Sequence, residues 1–174
     1  TPYGQKIEQH MLRDMMKKLA DDADYRDRRN AIVAFNKENA DLRKGLALTP
    51  IKFGISFTST HLNQAGALLH IYTDGSIHIN HGGTEMGQGL HTKIAQVVAS
   101  TLGVSYERVM VSSTRTDKVP NTSPTAASAG TDLNGMAAQN AAEKIKRRLI
   151  EFVASDSGAR SNEVTIENDM VMVR

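Results

Sequence analysis

The stretch His81-Gly82-Gly83-Thr84-Glu85-Met86-Gly87-Gln88-Gly89-Leu90-His91-Thr92 is expected to join a β-hairpin to a helix, and it decides the fold around it. Its four glycines leave backbone N–H groups uncovered, and the N-terminus of the following helix carries partial positive charge. Gln88 adds an amide side chain that can both donate and accept hydrogen bonds. The turn is therefore typical of a site for an oxyanion or a metal-oxo group.

A β-hairpin is predicted immediately before this turn, over residues 68–80. The Asp74-Gly75 pair favours a two-residue turn. Such a turn would pair His70 and His78 with isoleucines, so the two histidines should lie on opposite faces of the hairpin. Because they would not share a face, and no ligand-spaced His/Cys cluster exists, the sequence gives no support for a zinc site.

Two helices are predicted after the glycine turn, one over about 88–102 that ends at Gly103 and one over about 131–154. A loop and a strand are expected between them, over 104–116. The apolar spacing of the second helix predicts a buried side made of Met136, Ala137, Ala141, Ile145, Leu149 and Phe152. A final hairpin is predicted with Val164 and Ile166 on one strand, Glu167-Asn168-Asp169 in the turn, and Val171 and Val173 on the other strand.

The first part of the chain predicts two further helices, over residues 6–19 and 24–36. Asp21 or Asp22 is expected to cap the second helix. Its inward-facing residues are expected to be Tyr25, Ile32, Val33 and Phe35. Residues 46–59 predict one or two strands. This order of elements favours an α+β fold with a mainly antiparallel or mixed sheet packed against helices.

A second loop of small residues, 119–130, also precedes a predicted helix and resembles the glycine turn in design. If the two loops converge, their backbone N–H groups could hold a polyanionic cofactor without a lysine or arginine clamp. Well-formed helix entries without a ligand are the alternative for each loop alone. The G-x-G-x-x-G order, a P-loop and a G-x-S-x-G elbow are all absent from the sequence. Glu85 fits a structural hydrogen-bond acceptor better than a general base.

Composition excludes several other classes of protein. The net charge of +2 is too small to indicate nucleic-acid binding. The absence of cysteine excludes disulfides and cysteine-ligated zinc or iron–sulfur centres in this segment, and weakly favours a cytoplasmic location. No apolar run reaches the ~18 residues typical of a membrane span.

Four motifs occur in the order found in a known family: Lys52–Thr58 (KFGISFT), Leu62–Leu68 (LNQAGAL), Gly82–Lys93 (GGTEMGQGLHTK) and Val119–Ser128 (VPNTSPTAAS). They closely resemble the molybdopterin-binding subunit of the xanthine dehydrogenase family, in its bacterial form. Tyr3-Gly4-Gln5 and Leu46–Pro50 resemble it as well, so the likeness covers nearly the whole chain. The fold is then expected to be part of the molybdenum cofactor-binding domain of the xanthine oxidase family.

The resemblance also implies roles for individual residues. Met86, Gly87, Gln88, Thr125, Ala126, Ala127 and Ser128 are expected to contact molybdopterin, with Ala127 close to the metal and to the substrate. Phe57 is expected to stack on a purine, and Thr58 to donate or accept a hydrogen bond with it. No residue of the chain is expected to ligate the metal directly. No role is transferred to Gly130 or to Ser59-Thr60-His61, where the family varies.

Several motifs of the family are absent, among them the Gly-Gly-Gly-Phe-Gly-Gly-Lys-Glu loop, the substrate arginine and the Gly-Glu-Pro-Pro segment that carries the base glutamate. We therefore expect residues 1–174 to be one fragment of the domain, without a catalytic residue and inactive alone. Its expected parts are a helical lead-in at 1–45, a cofactor-facing α+β core at 46–154, and a linker with the terminal hairpin at 155–174.

The intact protein is then expected to oxidise hypoxanthine and xanthine to urate, with water as the oxygen source. Electrons would pass through Fe–S clusters and FAD, on other domains or subunits, to NAD. Expected partners are the purine, the rest of the molybdenum subunit and the Fe–S/FAD subunit, in a homo-oligomer, without nucleic acid or membrane. Two alternatives remain: an aldehyde-oxidising molybdenum hydroxylase, and a non-catalytic module that binds anions or nucleotides.

Overall fold

The computed structural model describes residues 4, 6–51, 53–55, 57–119 and 121–174. The chain divides into two compact units, Thr1–Gly54 and Ile55–Arg174. Helices and small sheets occur together in this chain, so the predicted α+β class is confirmed. The predicted division at 45/46 and 154/155 stays a prediction. None of the described helices is long and apolar enough to cross a membrane.

The N-terminal unit is built on two helices, α1 (Leu12–Asp22) and α2 (Tyr25–Glu38). The prediction that α1 begins near residue 6 was wrong. Asp24, rather than Asp21 or Asp22, is the N-cap residue of α2, and its side chain makes no capping hydrogen bond. Neither helix has a fully buried residue. Of the residues predicted to face inward, Val33 is half exposed, so the prediction was wrong there, whereas Tyr25, Ile32 and Phe35 are half-buried.

The strands predicted over 46–59 do not form in the described part of that stretch. Side chains of α2 instead bind the backbone that returns along the helix. Arg29 donates to the Leu46 carbonyl at 2.7 Å, and Asn36 both accepts from the Lys44 N–H at 2.9 Å and donates to its carbonyl at 3.0 Å. These bonds satisfy backbone groups of Lys44 and Leu46, at the start of the segment, without a neighbouring strand. Lys52 and Ser56 lie outside the described residues.

Within its described residues, the C-terminal unit holds two sheets and two long helices. Its elements are β1 (Ala67–Ile71), β2 (Ile77–His81), α3 (Leu90–Leu102), β3 (Val109–Val111), α4 (Gly130–Ser157), β4 (Val164–Glu167) and β5 (Met170–Val173). The first sheet has the order β1-β2-β3, antiparallel between β1 and β2 and parallel between β2 and β3. The second is the antiparallel pair β4-β5, which confirms the predicted terminal hairpin.

The core of this unit lies between the first sheet, α3 and α4. Ile79, Ile94 and Val98 are fully buried there. From α4 the fully buried residues are Ala138 and Ala142, whose small side chains allow a close approach to α3. The predicted buried side of α4 was wrong for three of its six residues: Met136 is 55%, Leu149 39% and Phe152 69% exposed. Ala141 and Ile145 from that prediction do pack against the core.

The β1-β2 hairpin has a different register from the predicted one. The Tyr72 N–H donates to the Ser76 carbonyl and the Gly75 N–H donates to the Tyr72 carbonyl, both at 2.9 Å. Three residues therefore form the loop, and Gly75 takes the left-handed conformation of a bulge with φ +81°. The shift of one residue pairs His70 with His78 directly. The prediction that these histidines lie on opposite faces was wrong.

The terminal hairpin docks on the end of α3. Asn168 and Asp169 both have positive φ, at 51° and 62°, as a two-residue hairpin turn requires. Asp169 accepts from the Ser105 N–H at 2.9 Å and from Arg108 at 2.7 Å, and these donors lower its pKa. At Gly103, the C-cap of α3, a Cβ would lie 2.0 Å from the Ile166 carbonyl oxygen.

We expect the substitution Gly103→Ala to lower the free energy of unfolding by roughly 3 kcal/mol, because the left-handed backbone and the close carbonyl both disfavour a side chain. Gly158→Ala is the matched control. Gly158 caps α4 with φ +73° but has open space around it, so only about 1 kcal/mol of backbone strain is expected. Urea unfolding of both variants measures the difference, and equal losses would contradict the docking of the hairpin on Gly103.

Candidate functional site

The carboxylate of Glu85 occupies the backbone donors of the glycine turn. Its Oε1 accepts from the N–H groups of Gly87 at 2.9 Å and Gly89 at 3.0 Å, and its Oε2 accepts from His91 at 2.9 Å. The donors, His91 first, lower the pKa of Glu85 to about 2. The interpretation of Glu85 as a structural acceptor is confirmed. The expectation that these N–H groups face a bound anion was wrong, because the chain supplies the anion itself.

Gln88 is held inside the same turn by both ends of its amide. Its oxygen accepts from the Met86 N–H at 2.6 Å, and its nitrogen donates to the Thr84 carbonyl at 2.8 Å. A primary amide has two donor hydrogens and two acceptor lone pairs, so one of each remains free of these contacts. The side chain is exposed, and this leaves a fixed polar edge available to a ligand.

The two loops do converge. The Thr84 N–H of the glycine turn donates to Thr125 Oγ1 of the second loop at 2.8 Å. Two residues earlier in the second loop, the Ser123 N–H donates to the Gln64 carbonyl at 2.9 Å, and its Oγ accepts from the Gln64 N–H at 2.8 Å. These bonds tie the middle of the second loop to the glycine turn at Thr125 and to the segment before β1 at Ser123. Pro120 lies outside the described residues.

A cavity of about 310 Å³ lies where the two loops meet. It is lined by Met86, Gln88, Leu90, Lys93, Thr125, Ala126, Ser128, Gly130 and Thr131. Five of the seven residues assigned to the cofactor from the resemblance are in this set. The other two, Gly87 and Ala127, belong to the same turns but do not line it.

The start of α4 differs from the start of α3. Its N-cap is Ala129, which makes no side-chain capping bond, and the first residues of the helix, Gly130 and Thr131, line the cavity. Just before it, Ala127 and Ser128 both adopt positive φ, at 54° and 55°. Two successive non-glycine residues in that conformation are strained by about 1–2 kcal/mol each, a cost that proteins retain mainly at functional sites.

Lys93 was missed in the sequence analysis. It lines the cavity and donates to the Gln88 carbonyl at 3.1 Å. The cavity therefore includes a cationic side chain, although the two loops alone could in principle hold a polyanion without one. Helical spacing could have revealed it, because Lys93 lies three residues after Leu90 and hence on the same side of α3. Gly130, to which no role was transferred, also lines the cavity.

A second, smaller cavity adjoins the first through a shared residue. Its volume is about 100 Å³, and it is lined by Phe57, Asn63, Ser123, Pro124, Ala126, Ala129 and Leu133. Phe57 is 39% exposed, and its carbonyl accepts from Asn63 at 3.1 Å. Ala126 lines both cavities, so an aromatic ring lies near the cavity of the two loops. Thr58 and Ala127, the other proposed substrate residues, line neither cavity.

The described residues contain no group of three His, Asp or Glu side chains arranged to hold a metal ion. His70 and His78 lie side by side on the hairpin, but without a third such ligand.

The comparisons with known proteins identify the class. The model of the molybdopterin cofactor-binding domain matches residues 18–174, and the chain belongs to that family. It is 50% identical over 149 residues to the xanthine dehydrogenase/oxidase of Gallus gallus, covering 86% of this chain and 11% of that protein. The corresponding protein of Felis catus is 46% identical over 166 residues, or 95% of this chain and 12% of the relative. The chain thus spans about a tenth of the length of the curated relatives it matches.

Solved structures place the fold among molybdenum-containing oxidoreductases. CO dehydrogenase from Oligotropha carboxidovorans matches with a TM-score of 0.59 and 28% identity, over 64% of this chain and 14% of that one. Quinoline 2-oxidoreductase from Pseudomonas putida 86 matches with a TM-score of 0.56 at 23% identity, over 63% of this chain and 14% of that one, a likeness of fold alone.

We expect Glu85→Gln to loosen the glycine turn. The carboxylate of Glu85 accepts from three backbone N–H groups with its two oxygens, whereas the glutamine amide has one oxygen and would turn its NH₂ group toward the remaining donors. Deuterium uptake by residues 86–91 should rise at neutral pH. Because the pKa of Glu85 is lowered, its carboxylate stabilises the closed turn of the unsubstituted protein fully above about pH 4.5, and this stabilisation is lost as the pH falls toward 2. Glu107→Gln, on the short turn before β3, is the control and should leave the uptake unchanged. Uptake equal to that of the unsubstituted protein would refute the anchoring role.

Proposed function

We propose that this chain forms one wall of the cofactor and substrate pocket of a molybdenum hydroxylase of the xanthine dehydrogenase type. The observation that carries the proposal is the cavity between the two loops, lined by Met86, Gln88, Thr125, Ala126 and Ser128 in a chain of the molybdopterin-binding family. Hypoxanthine and xanthine are the proposed substrates, supported by the identity of about 50% to xanthine dehydrogenases. Water is the proposed source of oxygen.

The residues present fit molybdopterin by their chemistry. Gln88 offers one free donor and one free acceptor to the polar edge of a pterin. The small side chains of Ala126 and Ser128 leave room beside it, and a volume of about 310 Å³ falls within the usual range of ligand pockets. Lys93 and the uncapped start of α4 supply positive potential for a negatively charged group. Gly87 and Ala127 would shape the two turns behind these contacts.

In this proposal the chain binds and orients, and it does not move protons. When bound, the cofactor supplies the redox metal at which the substrate carbon is hydroxylated. Phe57 would stack on the purine, Thr58 would form a hydrogen bond to it, and Ala127 would leave space between them. Glu85 is unsuited to act as the base, because a carboxylate held by three N–H groups with a pKa near 2 has little affinity for a proton at neutral pH.

Other parts of the reaction are proposed to lie outside this chain. The base glutamate belongs to the rest of the molybdenum subunit, and electrons leave through Fe–S clusters and FAD to NAD. The intact enzyme is proposed to be a cytoplasmic homo-oligomer of purine catabolism. A fold shared with CO dehydrogenase and quinoline 2-oxidoreductase does not by itself fix the substrate, so the preference for purines over aldehydes is the part that needs a direct test.

Gln88→Ala is expected to weaken retention of molybdopterin by about tenfold in the intact enzyme. The variant loses a hydrogen bond to the ligand, and the Met86 N–H loses the acceptor that fixes it. Pterin content after gel filtration, read by fluorescence, measures the retention. Gln139→Ala, at a half-buried position of α4 where the side chain donates to Glu143, is the matched control with no expected effect. Full retention by the Gln88 variant would contradict the proposed binding wall.

Phe57→Ala is expected to raise KM for hypoxanthine about tenfold, because stacking of a planar substrate on an aromatic ring contributes roughly 1–1.5 kcal/mol. An aliphatic aldehyde cannot stack in this way, so its KM should change less. Phe53→Ala removes another exposed phenylalanine nearby in sequence and should leave both KM values unchanged. An intact enzyme that turns over aldehydes but not purines would favour the aldehyde-oxidising alternative.

A further inference from the structure

A buried histidine lies directly behind the glycine turn. His81 ends β2, is 1% exposed, and accepts a hydrogen bond at Nδ1 from the Gly83 N–H at 3.1 Å. A ring nitrogen that accepts a hydrogen bond carries no proton, so this imidazole is neutral with its proton on Nε2. Burial, and then His91, lower the pKa of His81 to about 4, while Glu85 opposes the shift.

Hydrogen bonds connect this imidazole to the Gln88 side chain through two consecutive residues. The Gly83 carbonyl accepts from Thr114 Oγ1, and the next N–H, that of Thr84, donates to Thr125 at 2.8 Å. The Thr84 carbonyl then accepts from the Gln88 amide at 2.8 Å. A change in the orientation of Gly83 would therefore displace the peptide that anchors Gln88.

The turn is also packed tightly on its other sides. A Cβ on Gly82 would lie 2.0 Å from Thr122 Oγ1, and a Cβ on Gly83 would lie 2.5 Å from Leu90 and 2.8 Å from Asn134. The ring of His91 meets that of His81 edge to face, with centroids 5.1 Å apart. With neighbours this close, the turn has one well-packed position, and the imidazole acceptor holds the Gly83 amide in it.

We propose that His81 is a positioning residue for the cofactor loop, whose neutral imidazole fixes the Gly83 amide and, through Thr84, the side chain of Gln88. The inference rests on the proposed function for the role of Gln88 toward the cofactor, whereas the order of the loop does not depend on it. A protonated imidazole cannot accept the Gly83 bond. The titratable groups that act on His81 are His91, at the start of α3, and Glu85, in the loop.

The test compares His81→Phe, which keeps a ring without an acceptor, with His81→Asn, whose side-chain oxygen is bonded to Cγ as Nδ1 is. His78→Asn is the matched control, on the same strand but bonded to Ser112 instead of the loop. In the intact enzyme, His81→Phe should raise deuterium uptake over residues 82–91 about tenfold and lower pterin retention, as expected for one lost hydrogen bond. His81→Asn and His78→Asn should match the unsubstituted enzyme.

The pH profile gives a second readout. With His81 held neutral in the closed loop and free to protonate in the open one, opening should become easier as the pH falls from 6.5 toward about 4. Uptake corrected for intrinsic exchange should therefore rise over that range in the unsubstituted enzyme and stay flat in His81→Asn. If His81→Phe does not fold, the Asn variant and this pH profile still test whether His81 positions the loop.

Two results would overturn the inference: His81→Phe with unchanged uptake, or His81→Asn as loose as His81→Phe. An unsubstituted enzyme that binds no molybdopterin would instead refute the proposed function. Deuterium uptake would still decide whether His81 orders the loop, so the two failures are distinguishable.

Discussion

The three hydrogen bonds from backbone N–H groups to the Glu85 carboxylate are the interaction on which the site depends. Through them, Glu85 provides the negative charge at the N-terminus of α3. The N-cap residue of this helix is Gly89, which has no side chain to cap it. The favourable interaction of a carboxylate with a helix N-terminus keeps Glu85 ionised. With the loop held in this way, Gln88 is fixed by its neighbours before any ligand arrives.

The N-termini of α3 and α4 therefore have different roles. The start of α3 is occupied by Glu85, whereas the start of α4 has no side-chain cap and opens into the cavity between the loops. We propose that molybdopterin meets side chains, chiefly Gln88 and Lys93, on the first loop and backbone donors on the second. Strain in Ala127 and Ser128 is consistent with a backbone shaped for a ligand instead of for stability alone.

Local patterns predicted much of this arrangement because they act through the nearest neighbours in the chain. The β1-β2 hairpin, the strand β3, the cap at Gly103, the terminal hairpin and the role of Glu85 all follow from turn residues and periodicity. The register of the first hairpin did not, because Asp74-Gly75 suits a loop of two residues and a loop with a bulge alike. One residue of difference reverses which face His78 occupies relative to His70.

Local sequence patterns could not predict the features that depend on packing between elements far apart in the chain. The buried residues of α4 are small or polar ones, Asn134, Gly135, Ala138, Ala142 and Ala154, so a prediction from large apolar residues misplaced Met136, Leu149 and Phe152. Lys93 lines the cavity only because α3 and the second loop meet. At the start of the segment after α2, Arg29 and Asn36 bind the backbone of Leu46 and Lys44, contacts between residues 8 to 17 positions apart that a strand pattern does not reveal. The resemblance to a family, in contrast, led directly to five residues of the cavity.

The most direct test of this account is a crystal structure of the intact enzyme with molybdopterin bound, at a resolution that places the side chains of the glycine turn. The pterin is expected in the cavity between the loops, in contact with Gln88, while Glu85 still accepts from the N–H groups of Gly87, Gly89 and His91. A structure in which the cofactor takes those N–H groups and Glu85 turns away, or in which the pterin lies elsewhere, would contradict it.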